Sequence, residues 1–299
     1  MRADPTYIYN VAQAVNQSSS ATDGLIQQLS SGLRVSSLQD DPVAVAQSVL
    51  LGNAISRDDS FVQTASSEVA MLQVADSTLG EIVTQLTSAL TLGVQGSNGT
   101  LNAANTGVLV QQLTAIRDQV LSLANTSYLG QSLFGGSQGS VKPFTLDTST
   151  QPATVSYVGD SKLQYIETPS GQKIQTNVPG SDLFGTSSTG VFGALNQMIS
   201  DLSSGSPAAS VTADVSTLTS ALGNLSTQRS ILNSSQSRVQ STSSYIQTQE
   251  AQLKSQQNGL VAADTVTVAT QLKSNQVQYQ ALLSVMSALQ KTNLFDYVK

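Results

Sequence analysis

The acidic pair before Pro42 is the place where residue types and spacing best suit specific chemistry. Asp40 and Asp41 directly precede this proline, and Arg34 lies a short distance upstream. A carboxylate before proline is a typical helix start, because it caps free N–H groups and proline fits the first helical position. Arg34 could form an ion pair between subunits or fix the angle of the turn. The alternative is a simple cap beside a solvated arginine.

Groups for catalysis or metal binding are scarce elsewhere. The chain has no Cys, His or Trp, which excludes disulfides and thiolate metal sites and removes the commonest general base. Asp147, Asp160 and Glu167 are scattered and would have to converge in space to form the acid pair of a glycan hydrolase. We therefore expect no enzyme activity, no cofactor and no metal.

The composition limits the possible partners. The net charge is −6 and charged residues make up 11% of the chain, so we expect no nucleic-acid partner. No apolar run of about 18 residues occurs, so we expect no membrane span. Ser, Thr, Gln and Asn replace the charges, and such faces can be buried between subunits at a lower desolvation cost. A flexible low-complexity chain is the alternative, and periodicity must decide.

The elements that must position these residues are long helices. Heptad spacing predicts a helix from Pro42 to about Leu92, in which Asp76 interrupts one apolar row. Another heptad row runs from Leu218 to Leu260 and has no polar interruption. The complementary heptad position of the same helix becomes polar from Arg229 onward. The helix with this narrow apolar seam needs a long partner helix, which we expect to be the helix from Pro42 to about Leu92. The predicted intramolecular seam comprises Val62, Val69, Leu72, Leu79, Val83, Leu86, Leu90, Leu218, Leu225, Leu232, Val239, Ile246, Leu253 and Leu260.

Two terminal helices are predicted, one at residues 6–33 and one at about 266–291. Gly32 marks the end of the first. Their apolar stripes are narrow, so we expect them to be mobile in the monomer and ordered by neighbouring subunits. The residues predicted to pack between subunits are Ile8, Val11, Val15, Leu25, Leu29, Arg34, Asp40, Asp41, Pro42, Leu272, Tyr279, Leu282, Met286, Leu289, Leu294 and Phe295.

The middle of the chain has a different character. A third helix is predicted from about Thr106 to Leu129, and helical spacing returns near Val191. Between them, VSYVG, LQYIET and KIQTNV alternate like strands, with a turn at SG in residues 170–171. Three or more strands are expected, because a lone hairpin is marginal in water. Phe144, Tyr157 and Tyr165 are predicted to form the core of this strand-rich part.

The predicted fold is mainly α with a small β-rich insertion, in which the N- and C-terminal regions form a long antiparallel helical hairpin or coiled-coil bundle. The expected divisions are 1–40, an N-terminal helix paired with 264–299; 41–135 and 191–263, the two halves of a helical rod; and 136–190, the inserted β-rich domain.

Four segments resemble the bacterial flagellin superfamily, in the same order along the chain. SGLRVSSLQDDPVAVAQSVLL at residues 31–51 is similar to the family signature around Asp-Asp-Pro. ANTSYLGQSLFGGSQGSVKPF at 124–144 resembles the stretch that closes the N-terminal helical region. YVGDSKLQYIETPSGQKIQTNVPGSDLF at 157–184 and the terminal NLFDYVK are similar to the subgroup that joins hook to filament.

The resemblance implies a non-enzymatic structural subunit of the extracellular flagellum, at the junction of hook and filament. It implies export without a cleavable signal peptide, through the flagellar type III channel. The implied partners are identical subunits, an adjacent hook-associated protein, flagellin and an export chaperone. Flagellin itself is the alternative within the family. A coiled-coil interaction protein or signalling adaptor and a surface glycan hydrolase or adhesin are the alternatives outside it.

Overall fold

The computed structural model describes residues 5–98, 102–186 and 188–295, without the side chains of Pro5 and 289–295. The fold is mainly helical with small antiparallel strand pairs, which confirms the predicted fold class. The helices are α1 (Pro5–Ser31), α2 (Pro42–Gly96), α3 (Ala103–Ala124), α4 (Gly180–Phe184), α5 (Val191–Ser204), α6 (Ala208–Val261) and α7 (Thr265–Phe295). The strands are β1 (Ser127–Tyr128), β2 (Gln131–Ser132), β3 (Phe144–Asp147), β4 (Thr154–Tyr157), β5 (Tyr165–Glu167) and β6 (Lys173–Gln175).

The chain divides into two compact units. We call Met1–Ser56 with Gln249–Lys299 the terminal unit, and Arg57–Thr248 the central unit. The finer five-part division expected from the sequence stays a prediction.

In the central unit, α2 and α6 are antiparallel neighbours. Asp76 of α2 binds Arg229 of α6, whereas the later residue Gly93 lies against the earlier residue Val215. Heptad leucines from both helices lie in one buried cluster, together with residues of α3 and α5. Each helix exceeds 50 residues, about 80 Å at 1.5 Å per residue, so neither could bury its apolar row without a long partner.

The predicted third helix is shifted: it begins at Ala103 and ends at Ala124, not at Leu129. The Asn102 side chain caps its start by accepting from the N–H of Asn105. At the other end, the Asn125 amide donates to the carbonyl of Phe144 and accepts from its N–H, both at 2.9 Å. This side chain ties the segment after α3 to β3, so the chain leaves the helix although the next residues are compatible with it.

The strand-rich part consists of three separate two-stranded antiparallel sheets in the described chain. The predicted hairpin is confirmed: β5 pairs with β6, with Ile166 opposite Ile174. Gly171 supplies the positive φ of its turn. No third strand joins this pair among the described residues. It is supported instead by Phe61 and Ala65 of α2 and by Val239 and Ile246 of α6.

The sequence analysis predicted three aromatic residues in the core of the strand-rich part, and this prediction is wrong for Tyr165. Phe144 is buried and Tyr157 half-buried, whereas Tyr165 is 53% exposed. Side chains alternate along a strand, so when Ile166 turns into the core, Tyr165 must turn outward. Phe144 packs instead against Phe184 and Phe192.

In the terminal unit, α1 and α7 pack against each other. The chain after α1 meets the start of α7, where the N–H of Ala263 donates to the carbonyl of Gly32 at 2.8 Å, so the two helices are antiparallel. Gly32 ends α1 with a positive φ, as predicted. The buried apolar residues of this unit among the described ones are Val11, Val15, Val35, Ala44 and Val268. None of the helices in the described part of the chain has the length and apolar content needed to cross a bilayer.

Candidate assembly interface

Arg34 ties the loop after α1 to the end of α6 within the terminal unit. Its backbone N–H donates to the carbonyl of Val261 at 2.7 Å, and its guanidinium donates to the carbonyl of Leu260 at 2.8 Å. The nearest guanidinium-to-carboxylate distance to Asp41 is 3.7 Å, with the arginine side chain about half exposed. Such an ion pair contributes little in water, so carbonyl binding is the main local role of Arg34. An ion pair between subunits stays a prediction.

The two adjacent carboxylates of the Asp-Asp-Pro turn accept hydrogen bonds from different sides of the turn. Asp41 accepts from the N–H of Ala44 at 3.0 Å, which makes it the cap of α2, and the exposed Pro42 takes the first helical position. Asp40 folds back and accepts from the N–H groups of Ser36 and Ser37. These donors lower the pKa of Asp40, because they stabilise the charged carboxylate. The turn is therefore held by hydrogen bonds from its own backbone.

The terminal stripes predicted for assembly face partly inward. Val11 and Val15 are buried, whereas Leu29 is 40% exposed. Leu289, Leu294 and Phe295 lie outside the described side chains. The half-buried members are Ile8, Leu25, Leu272, Tyr279, Leu282 and Met286. Packing of α1 against α7 thus leaves these stripes only partly covered.

The structure reveals apolar residues that the sequence analysis missed. They share an exposure of more than half and lie on the terminal unit, and we call them the exposed apolar set. Its members are Tyr7, Tyr9, Leu38, Val43, Val49, Leu50, Val266 and Val277. Leu50 also borders a shallow depression of about 470 Å³, with Gln47, Leu51, Gln256 and Leu260. The sequence shows these residues as apolar positions outside the heptad rows. Only the tertiary structure shows which of them remain exposed to solvent.

The predicted seam lies mostly in the central unit. Its buried members are Leu72, Leu79, Leu86, Leu218, Leu225, Leu232, Val239 and Ile246. Its half-buried members there are Val62, Val69, Val83 and Leu90, and Leu253 and Leu260 of the terminal unit are also half-buried.

The polar interruptions of the heptad rows meet each other. The Arg229 guanidinium donates to both carboxylate oxygens of Asp76, at 2.6 and 3.1 Å. Arg229 lowers the pKa of Asp76 by this hydrogen bonding, and Asp76 raises the pKa of Arg229. Each residue was visible as a break in its own row, but their pairing depends on the register of α2 against α6. The pair favours that register, since a shift along the helices would leave two half-buried charges unpaired.

Asp147 and Asp160, two of the scattered carboxylates of the sequence analysis, each accept hydrogen bonds from backbone N–H groups. Asp160 accepts from the N–H of Ser137 at 2.7 Å, and Asp147 accepts from the N–H of Ser149 at 2.9 Å. Asp147 is thus engaged within its own turn, and Asp160 is engaged by the segment that contains Ser137. Within the described ranges, no group of three or more metal-ligating side chains is found.

The two halves of the helical frame match family models. Residues 7–139 match the bacterial flagellin N-terminal helical region, and residues 215–298 match the bacterial flagellin C-terminal helical region. The chain belongs to the bacterial flagellin family. The segment between the two matches contains β3–β6, α4 and α5.

Several curated relatives are flagellar proteins. Flagellar hook-associated protein 3 of Salmonella typhimurium is 28% identical over 53% of this chain and 48% of its own length. The protein of the same name from Escherichia coli is 27% identical over 66% of this chain and 64% of its own. The matches thus span about half to two thirds of these relatives. Polar flagellin F of Vibrio parahaemolyticus is 31% identical over 44% of this chain and 36% of its own length.

The fold also resembles that of solved flagellar proteins. A protein of Vibrio parahaemolyticus assigned as flagellar hook-associated superposes with a TM-score of 0.67 at 17% identity, over 75% of this chain and 100% of that one. At this identity the likeness concerns the fold alone.

Proposed function

We propose that this chain is the structural subunit that joins the hook of a bacterial flagellum to its filament. It packs against identical copies, against a hook-associated protein on one side and against flagellin on the other. The proposal rests on membership of the flagellin family and on relatives named hook-associated protein 3. The chain acts by burying surface, without turnover.

The observation that carries the proposal is the uncovered apolar surface of the terminal unit. Burying one exposed Leu or Val side chain contributes about 1.5–3 kcal/mol, and the exposed apolar set has eight large apolar side chains. Contacts with neighbouring copies would cover this set together with the half-buried stripes of α1 and α7. Unlike surfaces at the two sides of a subunit give heterologous, helical assembly instead of a closed dimer.

The location follows from the same proposal. The subunit reaches the extracellular flagellum through the flagellar export channel, without a cleavable signal peptide and with the help of an export chaperone. The absence of cysteine suits this route, because no disulfide has to be reduced before export or formed afterwards.

Deletion of the gene tests the proposal in the host cell. We expect hooks without filaments and flagellin released into the medium, because flagellin would lack its attachment layer. Cells that keep normal filaments after the deletion would disprove the junction role. Complementation with the unaltered gene should restore the filaments.

Point variants test the surface itself. Leu50→Ser replaces a 69% exposed leucine of the exposed apolar set, and Tyr245→Ser replaces a 67% exposed tyrosine of the central unit as the matched control. Neither should change the free energy of unfolding of the monomer by more than about 0.5 kcal/mol. Leu50→Ser should fail to restore filaments in the deletion strain, whereas Tyr245→Ser should restore them. Equal behaviour of the two variants would exclude the exposed apolar set as the assembly surface.

Flagellin is the second candidate function, favoured by the 31% identity to a polar flagellin. A flagellin should grow into long filaments when purified monomer is seeded, whereas a junction subunit should stay monomeric. Light scattering of the seeded protein distinguishes the two. A parallel dimer in sedimentation would instead indicate a coiled-coil interaction protein.

A further inference from the structure

Two carboxyl groups meet at the turn between α5 and α6, in the central unit. Asp201 lies in the last turn of α5 and Asp214 in the second turn of α6, with the turn at Gly205 between them. Their side chains are within hydrogen-bonding reach of each other. Asp214 is 7% exposed, and its Oδ2 is buried without a hydrogen-bond donor. A buried carboxylate oxygen without a donor is costly.

No cation compensates this pair in the neighbouring helices. Asp201 and Asp214 are the only charged residues of α5 and of α6 up to residue 228, and α2 has none over residues 85–96. Arg117, the first charged residue of α3, is held by Asp118 and by Asn196 of α5. Among the described residues, these neighbouring helix segments therefore offer the pair neither a free counter-charge nor a basic donor.

We infer that Asp201 and Asp214 share one proton, which makes the α5–α6 turn a pH-sensitive contact. Two ionised carboxylates can only accept, so a single proton between them supplies the missing donor. The proton resides on Asp214, because its Oδ2 has no donor, whereas Gln197 and Ser206 each donate to Oδ1 of Asp201 at 3.2 Å.

Burial, followed by the charge and hydrogen bond of Asp201, raises the pKa of Asp214 to about 6. The folded chain therefore binds this proton more tightly than the unfolded chain, in which the carboxyl titrates near 3.8. The stabilising effect is complete below the unfolded pKa and is lost as the pH rises through about 6. Above that pH the two charges repel each other.

The contact lies at a corner where α2, α5 and α6 pack closely. A Cβ on Gly93 would come within 2.7 Å of Val215 and 2.8 Å of Met198, and a Cβ on Gly96 within 2.7 Å of Leu202. Repulsion between Asp201 and Asp214 acts to separate α5 and α6 at this tightly packed corner. Acid therefore tightens the corner and alkaline solution loosens it.

Asp214→Asn tests the inference, because asparagine has the shape of the protonated acid and cannot ionise. Urea unfolding of the full chain is measured at pH 4 and at pH 8. At pH 8 the unfolding equilibrium constant of Asp214→Asn should be roughly 100-fold smaller than that of the unaltered chain, at about tenfold per pKa unit. At pH 4 this advantage should vanish.

Two further measurements keep the inference falsifiable. Carboxyl-carbon NMR should show Asp214 titrating near pH 6, and Asp201→Asn should lower that midpoint because the neighbouring charge is gone. Glu81→Gln, at an exposed position of α2, is the control and should show no pH-dependent gain. An advantage of Asp214→Asn that is equal at both pH values would overturn the inference. Stabilisation of the unaltered chain by calcium ions, absent from Asp214→Asn, would also overturn it and identify a cation site.

Discussion

The central and terminal units are built from the same kind of helix but differ in how much apolar surface they cover themselves. Heptad leucines of the central unit, such as Leu79 and Leu218, are fully buried in a cluster shared by several helices. In the terminal unit, α1 and α7 bury few side chains completely and leave Tyr9 and Val266 more than 60% exposed. In the central unit, residues of α3 and α5 also pack against α2 and α6 and cover their apolar rows. The central unit therefore covers most of its own apolar rows, whereas the terminal unit leaves apolar side chains uncovered within the chain.

Hydrogen exchange of the monomer should show the largest contrast. Amides in the middle of α6, such as Leu225, should open only by unfolding of the central unit. Amides of α1 and α7 should exchange faster by roughly 1,000-fold or more, because few buried contacts oppose their opening. Equal protection of both regions would contradict the mobility predicted for the terminal helices.

Matched leucine truncations should show the next largest contrast. Leu79→Ala leaves a cavity in a fully buried site and should lower the free energy of unfolding by about 2–5 kcal/mol. Leu25→Ala removes a half-buried side chain of α1 and should cost less than about 1 kcal/mol in the monomer. Denaturant unfolding of both variants is the measurement. Similar losses would mean that the terminal unit has a core of its own.

The ion pairs give a smaller contrast. Arg229→Met leaves Asp76 half-buried without its partner and should cost about 1–3 kcal/mol, whereas Arg34→Met at the loosely paired turn should cost about 1 kcal/mol or less. Since Arg229 lowers the pKa of Asp76, the Asp76 contribution is present above its unfolded pKa and is lost as the pH falls below about 4. A double-mutant cycle of Asp76→Asn and Arg229→Met measures the coupling, and a value near zero would refute the pairing.

Much of the helical frame was predictable because it depends on local rules. The Asp41 cap, Pro42 at the first helical position and Gly32 at a helix end each act within a few residues. The β5–β6 hairpin was likewise visible from alternation and its Ser-Gly turn. The end of α3 was not, because Asn125 forms its bonds with Phe144, far along the sequence. The outward position of Tyr165 depends on which side of its strand meets α2 and α6.

The candidate site was less accessible to sequence reasoning than the fold. Heptad rows identify apolar side chains that favour burial. They do not show which of these side chains are buried within the chain and which remain exposed. The predicted stripe therefore included Val11 and Val15, which α1 and α7 bury, and omitted Leu50 and Val43, which remain exposed.

The sequence by itself determined the helix periods, the caps, the turn glycines and the lack of chemistry based on Cys or His, because these depend on residue type and short spacing. Only the tertiary structure decided that Asp76 meets Arg229, that Asp201 meets Asp214 and that Leu50 stays uncovered. These depend on the register and packing of segments far apart in the chain. A contact between distant residues has no local signature, since its energy arises only when the whole fold brings the two side chains together.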